Sequence, residues 1–515
     1  MAVVDFRMRK KEIAIIGGGL GGLSAAIYLA ATLKKRAKIT IYEKESHLGG
    51  KMNEVRLGSY RFDCGPGLLT MPEVLRDLFR VCDKQLEDYL DIVQVEPINR
   101  YFFQSGVNVA TIDASHNLNE FRKEIAKLSE KDSSQVSAFF KYSERIYKRS
   151  APTFLFRSFH DPFSLFDWQA IKQIPFLYQL DPFRTVHEGV ASFFESDKVQ
   201  QLFDRYATYS GSDPFRAPAT LNIIPYVEYS LGSYYIKGGM FRLAEALTKL
   251  AGELGVSFQC QSEVIELLGS SKKVTGIKIQ HRGEINDEIV DAVVSNSDVV
   301  WTYQNLCKNL LSTKITASKT KLEPSSSGLV FQWGVKRRHP NLLHHNVFFS
   351  NDYRKEFTAI FEKLTIPDEL SIYIAITSKT DPDHAPPEGE NWFVLVNMPY
   401  LSVKGISTWE KEHTDCVRDL IFKRLAEFGI NDLSEVIEHE AVITPSDFLR
   451  KTYSNCGSIY GISSNSREAA FQREGNASKL IERLFFTGGS ANPGGGIPLV
   501  LLSGKHAAKA VRKAL

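Results

Sequence analysis

The chain runs to 515 residues, a length that accommodates about three domains with large cores. Hydrophobic residues make up 43% and charged residues 24%, which excludes a disordered chain, and a net charge of +3 gives no reason to expect a nucleic-acid partner. Six scattered cysteines (Cys64, Cys82, Cys260, Cys307, Cys416 and Cys456) exclude a disulfide scaffold and a zinc ribbon, and they fit a reducing compartment.

Residues 13–33 form a run of 21 positions without a charge, preceded by the basic Arg7-Met8-Arg9-Lys10-Lys11. By hydropathy alone this suggests a signal peptide or a membrane span. The β-rich Ile13-Ala14-Ile15-Ile16 followed by Gly17-Gly18-Gly19-Leu20-Gly21-Gly22 instead predicts a strand, a tight turn and a small-residue helix. Gly17, Gly19 and Gly22 stand in G-x-G-x-x-G spacing. In that motif the first glycine makes the turn, the second lets a pyrophosphate approach the backbone, and the third allows helix and sheet to pack closely. Leu20 lies in the same phosphate-facing turn. A second strand ends at Glu43, 21 residues past Gly22, where a carboxylate accepts hydrogen bonds from an adenosine ribose.

Shortly after Glu43 come Gly49-Gly50-Lys51, a Gly-Gly-basic element that resembles the second signature of flavoproteins with two dinucleotide-binding motifs. The resemblance implies bare backbone beside the cofactor at Gly50 and a basic side chain near its phosphates at Lys51. Phe62-Asp63-Cys64-Gly65-Pro66-Gly67-Leu68 is another stretch where glycine brings backbone, here Gly67 and Leu68, close to a flat ligand. FAD is therefore the expected cofactor.

Gly238-Gly239-Met240 opens an amphipathic helix carrying Leu243, Ala246, Leu247, Leu250 and Leu254. A strand-rich return follows, including a hairpin through Val274-Thr275-Gly276-Ile277, with Val264 expected near the adenine and Asn296 near the crossing point of the chain; core or turn roles are equally open for both. At the C-terminus, Gly488-Gly489 and Pro493-Gly494-Gly495-Gly496-Ile497-Pro498 precede a final helix. Pro498 fits a first helical turn, and Gly489, Gly496 and Ile497 leave the positive end of that helix open to the flavin.

Taken together, residues 17–22, Glu43 with Gly49-Gly50-Lys51, residues 62–72, Lys237-Gly238-Gly239-Met240 and residues 489–498 resemble the bacterial phytoene desaturase or carotenoid desaturase family. The likeness spans nearly the whole chain and includes Ser210-Gly211-Ser212-Asp213-Pro214-Phe215-Arg216-Ala217-Pro218. The chain departs from the pattern at Lys51, where arginine is usual, at Ser490-Ala491-Asn492, and at Leu499.

The resemblance implies an α/β protein with three parts: a doubly wound, Rossmann-type FAD-binding domain (residues 1–80, 236–300 and 478–515), a substrate domain with a mixed or antiparallel sheet (81–118, 219–235 and 301–477), and a helical, membrane-facing subdomain (119–218). It implies an FAD-dependent desaturase of an acyclic carotenoid, either phytoene or an already hydroxylated carotenoid that acquires a 3,4 double bond. An amine oxidase of the same fold and a non-catalytic prenyl-lipid carrier are the alternatives, and an intact Glu43 with a full glycine set argues against the carrier.

Residues 151–235 hold 19 aromatic residues among 85, with 6 basic and 9 acidic ones. Three Asp-Pro-Phe triplets, led by Asp161, Asp181 and Asp213, predict helix N-caps followed by proline. The helix after Asp161, with Phe163, Phe166, Ala170, Ile171 and Ile174 on one face, reads equally as buried core or as a surface that dips into a bilayer or lines an apolar tunnel. Beyond Asn296, strands at 329–333, 371–377 and 392–397 predict an antiparallel sheet with one packed face and the other roofing the flavin.

With no second G-x-G-x-x-G, the expected electron acceptor is a quinone or oxygen, and neither nucleic acid nor metal is expected. His344-His345 is the one histidine pair, and adjacent strand residues point to opposite faces, which disfavours joint metal binding. No catalytic acid or base is assignable; Asp167 and Lys172 lie in the region of the family's polar channel residues, but the local match is too loose to carry a role over. The expected location is cytoplasmic, peripherally attached to a membrane surface.

Overall fold

The computed structural model describes residues 9–105, 108–157, 178–312 and 322–515. The charge-free N-terminal run folds as the strand β1 (Lys11–Ile16) and the helix α1 (Leu20–Leu33), joined by a turn at Gly17 with φ +89°. An ideal Cβ on Gly22 would lie 2.2 Å from the Gly17 carbonyl oxygen, so close packing of the turn against the helix requires glycine there. β1 is the middle of a five-stranded parallel sheet with β2 (Ala37–Tyr42), β3 (Ser257–Gln259), β4 (Ala292–Ser295) and β5 (Leu484–Phe486), in the order β3-β2-β1-β4-β5.

One face of this sheet packs on α1, on the helix Arg242–Glu253 and on α2 (Ile497–Ala514), through Leu23, Ile27, Leu247, Leu250 and Leu501. The Rossmann-type parallel sheet is as expected. Its other face is covered in part by the antiparallel strands Ser262–Ser270, Lys273–His281 and Glu284–Ile289, where Val264, Leu267, Val274 and Ile277 meet Ala14, Ile16 and Tyr42. Apolar residues on both faces of β1 follow from this double cover.

A seven-stranded mixed sheet runs in the order Ile437–Ile443, Ser327–Val335, Glu390–Met398, Ile372–Ile376, His345–Phe348, Asn99–Ser105, Asn108–Ala114. All neighbours are antiparallel except the parallel pair His345–Phe348 with Asn99–Ser105. Side chains alternate between two cores. Phe102 joins Trp333, Ile374, Trp392 and Val394 beneath the helix Lys411–Ala426, while Tyr101, Phe103 and Val347 join the helices Leu118–Ala126, Glu130–Ser150 and Asp197–Asp204.

Much of the aromatic enrichment in the middle of the chain is core: Phe194 and Phe203 stack at 4.9 Å, and Tyr206 and Tyr229 are fully buried. Phe163, Phe166, Asp167, Lys172 and the triplet at Asp161 lie outside the described residues. The other two triplets do not begin helices. Asp181 binds Arg184 and the Tyr142 hydroxyl, and the next helix starts at Val186 behind Thr185. Asp213 accepts the Phe215 N–H at 2.8 Å within a turn. Short Asp-Pro-x segments close turns as readily as they cap helices. Among the described residues, no helix is long and apolar enough to cross a membrane.

Candidate cofactor site and the sheet face beside it

The glycine elements converge. Gly19 is the N-cap of α1, with no capping side chain and no acid in the first turn, so its N–H dipoles stay available to an anion. Glu43, at the end of β2, is 7% exposed. Its Oε2 accepts the Gly18 N–H at 2.7 Å and its Oε1 the Glu45 N–H at 3.0 Å, which holds the carboxylate at the mouth of the glycine turn with lone pairs left for ribose hydroxyls. The Gly49 N–H donates to the Gly18 carbonyl at 2.9 Å, and an ideal Cβ on Gly50 would stand 3.1 Å from the Gly19 Cα. The second element is thus pinned to the first.

Asn296 follows β4, and its side chain reaches the same turn. Its Nδ2 donates to the Gly17 carbonyl at 3.3 Å, and its Oδ1 lies 2.5 Å from an ideal Cβ on Gly21 and 2.8 Å from one on Gly488. Gly489 packs on Gly495, and Gly496, with φ +101°, is the uncapped N-cap of α2, with Pro498 in its first turn. Ile497 and Leu20 are buried in one cluster. Val264 sits in the core beside Tyr42, beneath the sheet. Its described contacts are those of core packing.

Two cations lie in this region. Lys51 donates to the Ile459 carbonyl at 2.7 Å, and burial lowers its ammonium to about 8, with Asp298 acting in the opposite sense. Arg473, 7% exposed, donates to the carbonyls of Gly489 at 2.6 Å and Ile462 at 3.0 Å; burial lowers it to about 10, again opposed by Asp298. Asp298 is itself engaged with the Val300 N–H at 2.8 Å and the Trp301 N–H at 3.3 Å. Both cations are thus desolvated and bonded to backbone carbonyls, with Asp298 the carboxylate whose charge acts on each.

The segment with Gly67 and Leu68 connects this region to the mixed sheet. An ideal Cβ on Gly65 would meet the Lys51 carbonyl oxygen at 2.3 Å, and Gln332 donates to the Asp63 carbonyl at 3.0 Å. Gly67 faces Tyr373 and His345: an ideal Cβ would lie 3.4 Å from Tyr373 Oη and 3.9 Å from His345 Cε1. Tyr373 Oη and His345 Nδ1 are hydrogen-bonded at 2.8 Å. The middle motif arrives through Tyr460, whose ring lies between Gly211 and Gly495, with ring carbons 2.7 and 2.8 Å from their ideal Cβ positions. Nearby, Glu228 is fully buried and accepts hydrogen bonds from Asn99, Tyr206 and Tyr209, while Arg205 donates to Tyr101.

The histidine pair departs from expectation. The strand begins at His345, so strand alternation does not apply to His344, and the two rings lie 4.3 Å apart. Among the described residues, no group of three or more His, Cys, Asp or Glu side chains is arranged to hold a metal. Sequence reasoning passed over Arg473, Tyr460 and Tyr373. None stands in a motif, and each joins the site only through contacts distant in sequence.

This geometry defines a Rossmann-type dinucleotide-binding fold. Residues 20–512 match the family model described as flavin containing amine oxidoreductase, and the chain belongs to that family. It is 36% identical to a 1-hydroxycarotenoid 3,4-desaturase from Flavobacterium sp., over 96% of this chain and 98% of that protein. It is 35% identical to a 4,4'-diapolycopene oxygenase from Methylomonas sp. (96% and 97% covered) and 32% identical to a 4,4'-diaponeurosporene oxygenase from Staphylococcus haemolyticus (97% of each). Among solved structures, a putrescine oxidase variant superposes with a TM-score of 0.63 at 12% identity, over 98% of this chain and 99% of that one. A Rab GDI from Plasmodium falciparum gives 0.54 at 12% identity over 97% of each chain. These two show the fold alone. The protein is an FAD-dependent oxidoreductase.

Proposed function

We propose that the protein desaturates an acyclic carotenoid in carotenoid biosynthesis, with an already hydroxylated carotenoid and its 3,4 bond as the substrate. The observation that carries this reading is the end-to-end relationship to the 1-hydroxycarotenoid 3,4-desaturase, at 36% identity over 96% of the chain. FAD, when bound, supplies an oxidised two-electron acceptor. Lys51, Arg473 and the uncapped starts of α1 and α2 would hold its phosphates, and Glu43 its ribose. We read residues 1–80, 236–300 and 478–515 as the cofactor half and the mixed sheet with its helices as the substrate half, whose apolar face keeps water from the reacting carbons. A quinone or oxygen would reoxidise the cofactor. The carotenoid would enter from a membrane surface to which the protein attaches peripherally on the cytoplasmic side.

A second reading is oxidation of a terminal carbon, favoured by the relatives at 32–35% identity that carry oxygenase names. One experiment separates the two. FAD-loaded protein is given hydroxylated and non-hydroxylated acyclic carotenoids in liposomes, and the products are read by absorption and mass. Desaturation appears as loss of two hydrogens with a red-shifted spectrum; oxygenation appears as added oxygen. No turnover of any acyclic carotenoid by FAD-loaded protein overturns both.

A further inference from the structure

We propose that His345 is the proton acceptor of the reaction, with its Nε2 taking the proton from the carbon next to the one that loses hydride and with Tyr373 as the residue that positions its ring. This rests on the desaturase reading above. His345 is 1% exposed, and its Nε2 has no hydrogen-bond partner. A buried ring nitrogen left in that state is costly unless a ligand or a reaction uses it. In the tautomer this role requires, the Nδ1–H donates to Tyr373 Oη at 2.8 Å and leaves the lone pair on Nε2, and the two rings lie stacked 5.9 Å apart. The imidazole is therefore fixed in plane and in direction.

Location supplies the second observation. The edge of the ring, at Cε1, stands 3.9 Å from the position a Cβ would take on Gly67. Gly67 belongs to the segment joining the Lys51 element to the mixed sheet, so His345 stands where that segment meets the sheet; the neighbouring His344 Nε2 is likewise without a partner, but among the described residues no such contact with the segment places it there.

The chemistry balances. Removing H–C–C–H as a double bond sends one hydrogen away with its electron pair, as hydride to oxidised FAD. The C–H bond on the neighbouring carbon then breaks, its electrons close the new C=C bond, and the proton passes to Nε2. A carbon next to an allylic cation is a strong acid, so a weak base suffices. Burial and the neighbouring His344 hold the His345 pKa well below the usual histidine value, so the ring is neutral and ready to accept across the physiological range.

The test uses FAD-loaded protein with carotenoid in liposomes, under anaerobic single-turnover conditions, with three readouts: FAD content by absorbance, carotenoid binding by quenching of tryptophan fluorescence, and the rate of flavin bleaching. His345→Gln keeps a polar side chain of similar reach without a basic nitrogen. It is expected to retain FAD and carotenoid binding within about threefold of wild type while bleaching slows by roughly 10²–10⁴-fold, the range for loss of a general base. Tyr373→Phe is expected to lower the limiting bleaching rate about tenfold with the half-saturating carotenoid concentration unchanged, as misorientation of a held base predicts. Bleaching of His345→Gln within threefold of wild type overturns the assignment. Should His345→Gln emerge without FAD, Tyr373→Phe decides: a slower limiting rate sustains the role of His345, and an unchanged rate overturns it. Wild-type flavin that no acyclic carotenoid bleaches sinks the desaturase reading itself, a failure distinct from that of His345.

Discussion

Glu43 is the residue on which the ribose assignment turns. Its carboxylate already accepts the Gly18 and Glu45 N–H groups, so replacing it removes both a ligand contact and a brace for the turn. Each charge-assisted hydrogen bond is worth about 1.5–3 kcal/mol, so Glu43→Ala is expected to raise the FAD dissociation constant roughly ten- to a hundredfold. Titration of apoprotein with FAD, followed by flavin fluorescence, measures this directly; an unchanged constant removes Glu43 from the site. Lys51 gives a pH signature. Its ammonium is lowered from 10.5 to about 8 by burial, so the folded apoprotein binds that proton less tightly than the unfolded chain. The penalty is fully present below pH 8, and stability from this group rises with pH between about 8 and 10.5. A bound pyrophosphate favours the charged form, so FAD binding takes up a proton above pH 8, and affinity is expected to fall by up to about tenfold per pH unit there. Lys51→Gln should weaken binding at pH 7 and abolish the slope. A slope that persists in this variant assigns it to another group.

The elements show why part of the site was legible in the sequence and part was not. The turn at Gly17, the Gly49-Gly50 element and the Gly496 helix start are local: each glycine's conformation is dictated within a few residues, so spacing alone announces them. His345, Tyr373 and Arg473 carry no such mark. Their positions come from strand pairing and loop packing that bring Gly67, Gly489 and Ile462 to them, which no local pattern records. The same distinction governs the crossing of α1 and α2. Ser24 is fully buried and donates to the Leu501 carbonyl at 2.7 Å, and Gly504 faces it. Helix propensity alone favours Gly504→Ala by about 1 kcal/mol. An ideal Cβ there would lie 2.6 Å from Ser24 Cβ and 2.7 Å from the Ala25 nitrogen, and the backbone atom cannot turn aside. Overpacking costs about 1–3 kcal/mol, so the clash wins and Gly504→Ala is expected to lower the melting temperature of the FAD-loaded protein in circular dichroism. An equal or higher value shows that the two helices separate without cost.

At the scale of the whole molecule, the carotenoid proposed as substrate is a hydrocarbon that partitions into a bilayer. Among the described residues no helix is long and apolar enough to cross a bilayer; on the proposed reading the carotenoid is drawn from the membrane at one face of the protein. The described residues flanking 158–177 expose apolar surface: Phe156 at 43%, Tyr178 and Phe183 at 70% each. The sequence between them carries Phe163 and Phe166. A large apolar side chain gains about 1.5–3 kcal/mol on leaving water, and three or four together suffice for reversible attachment. Residues 151–235 carry 6 basic against 9 acidic residues, so charge does not draw this segment to anionic lipid and burial must drive the contact. Attachment is therefore expected to survive high salt and to need no anionic lipid. Flotation with neutral liposomes at low and high salt tests both points, comparing wild type with Tyr178→Ser/Phe183→Ser and with Phe163→Ser/Phe166→Ser. Wild type should float at either salt concentration, and both double variants should remain in the dense fractions with FAD retained. If all three float equally, the docking surface lies on another face of the molecule; if wild type floats only at low salt, charge and not burial makes the contact.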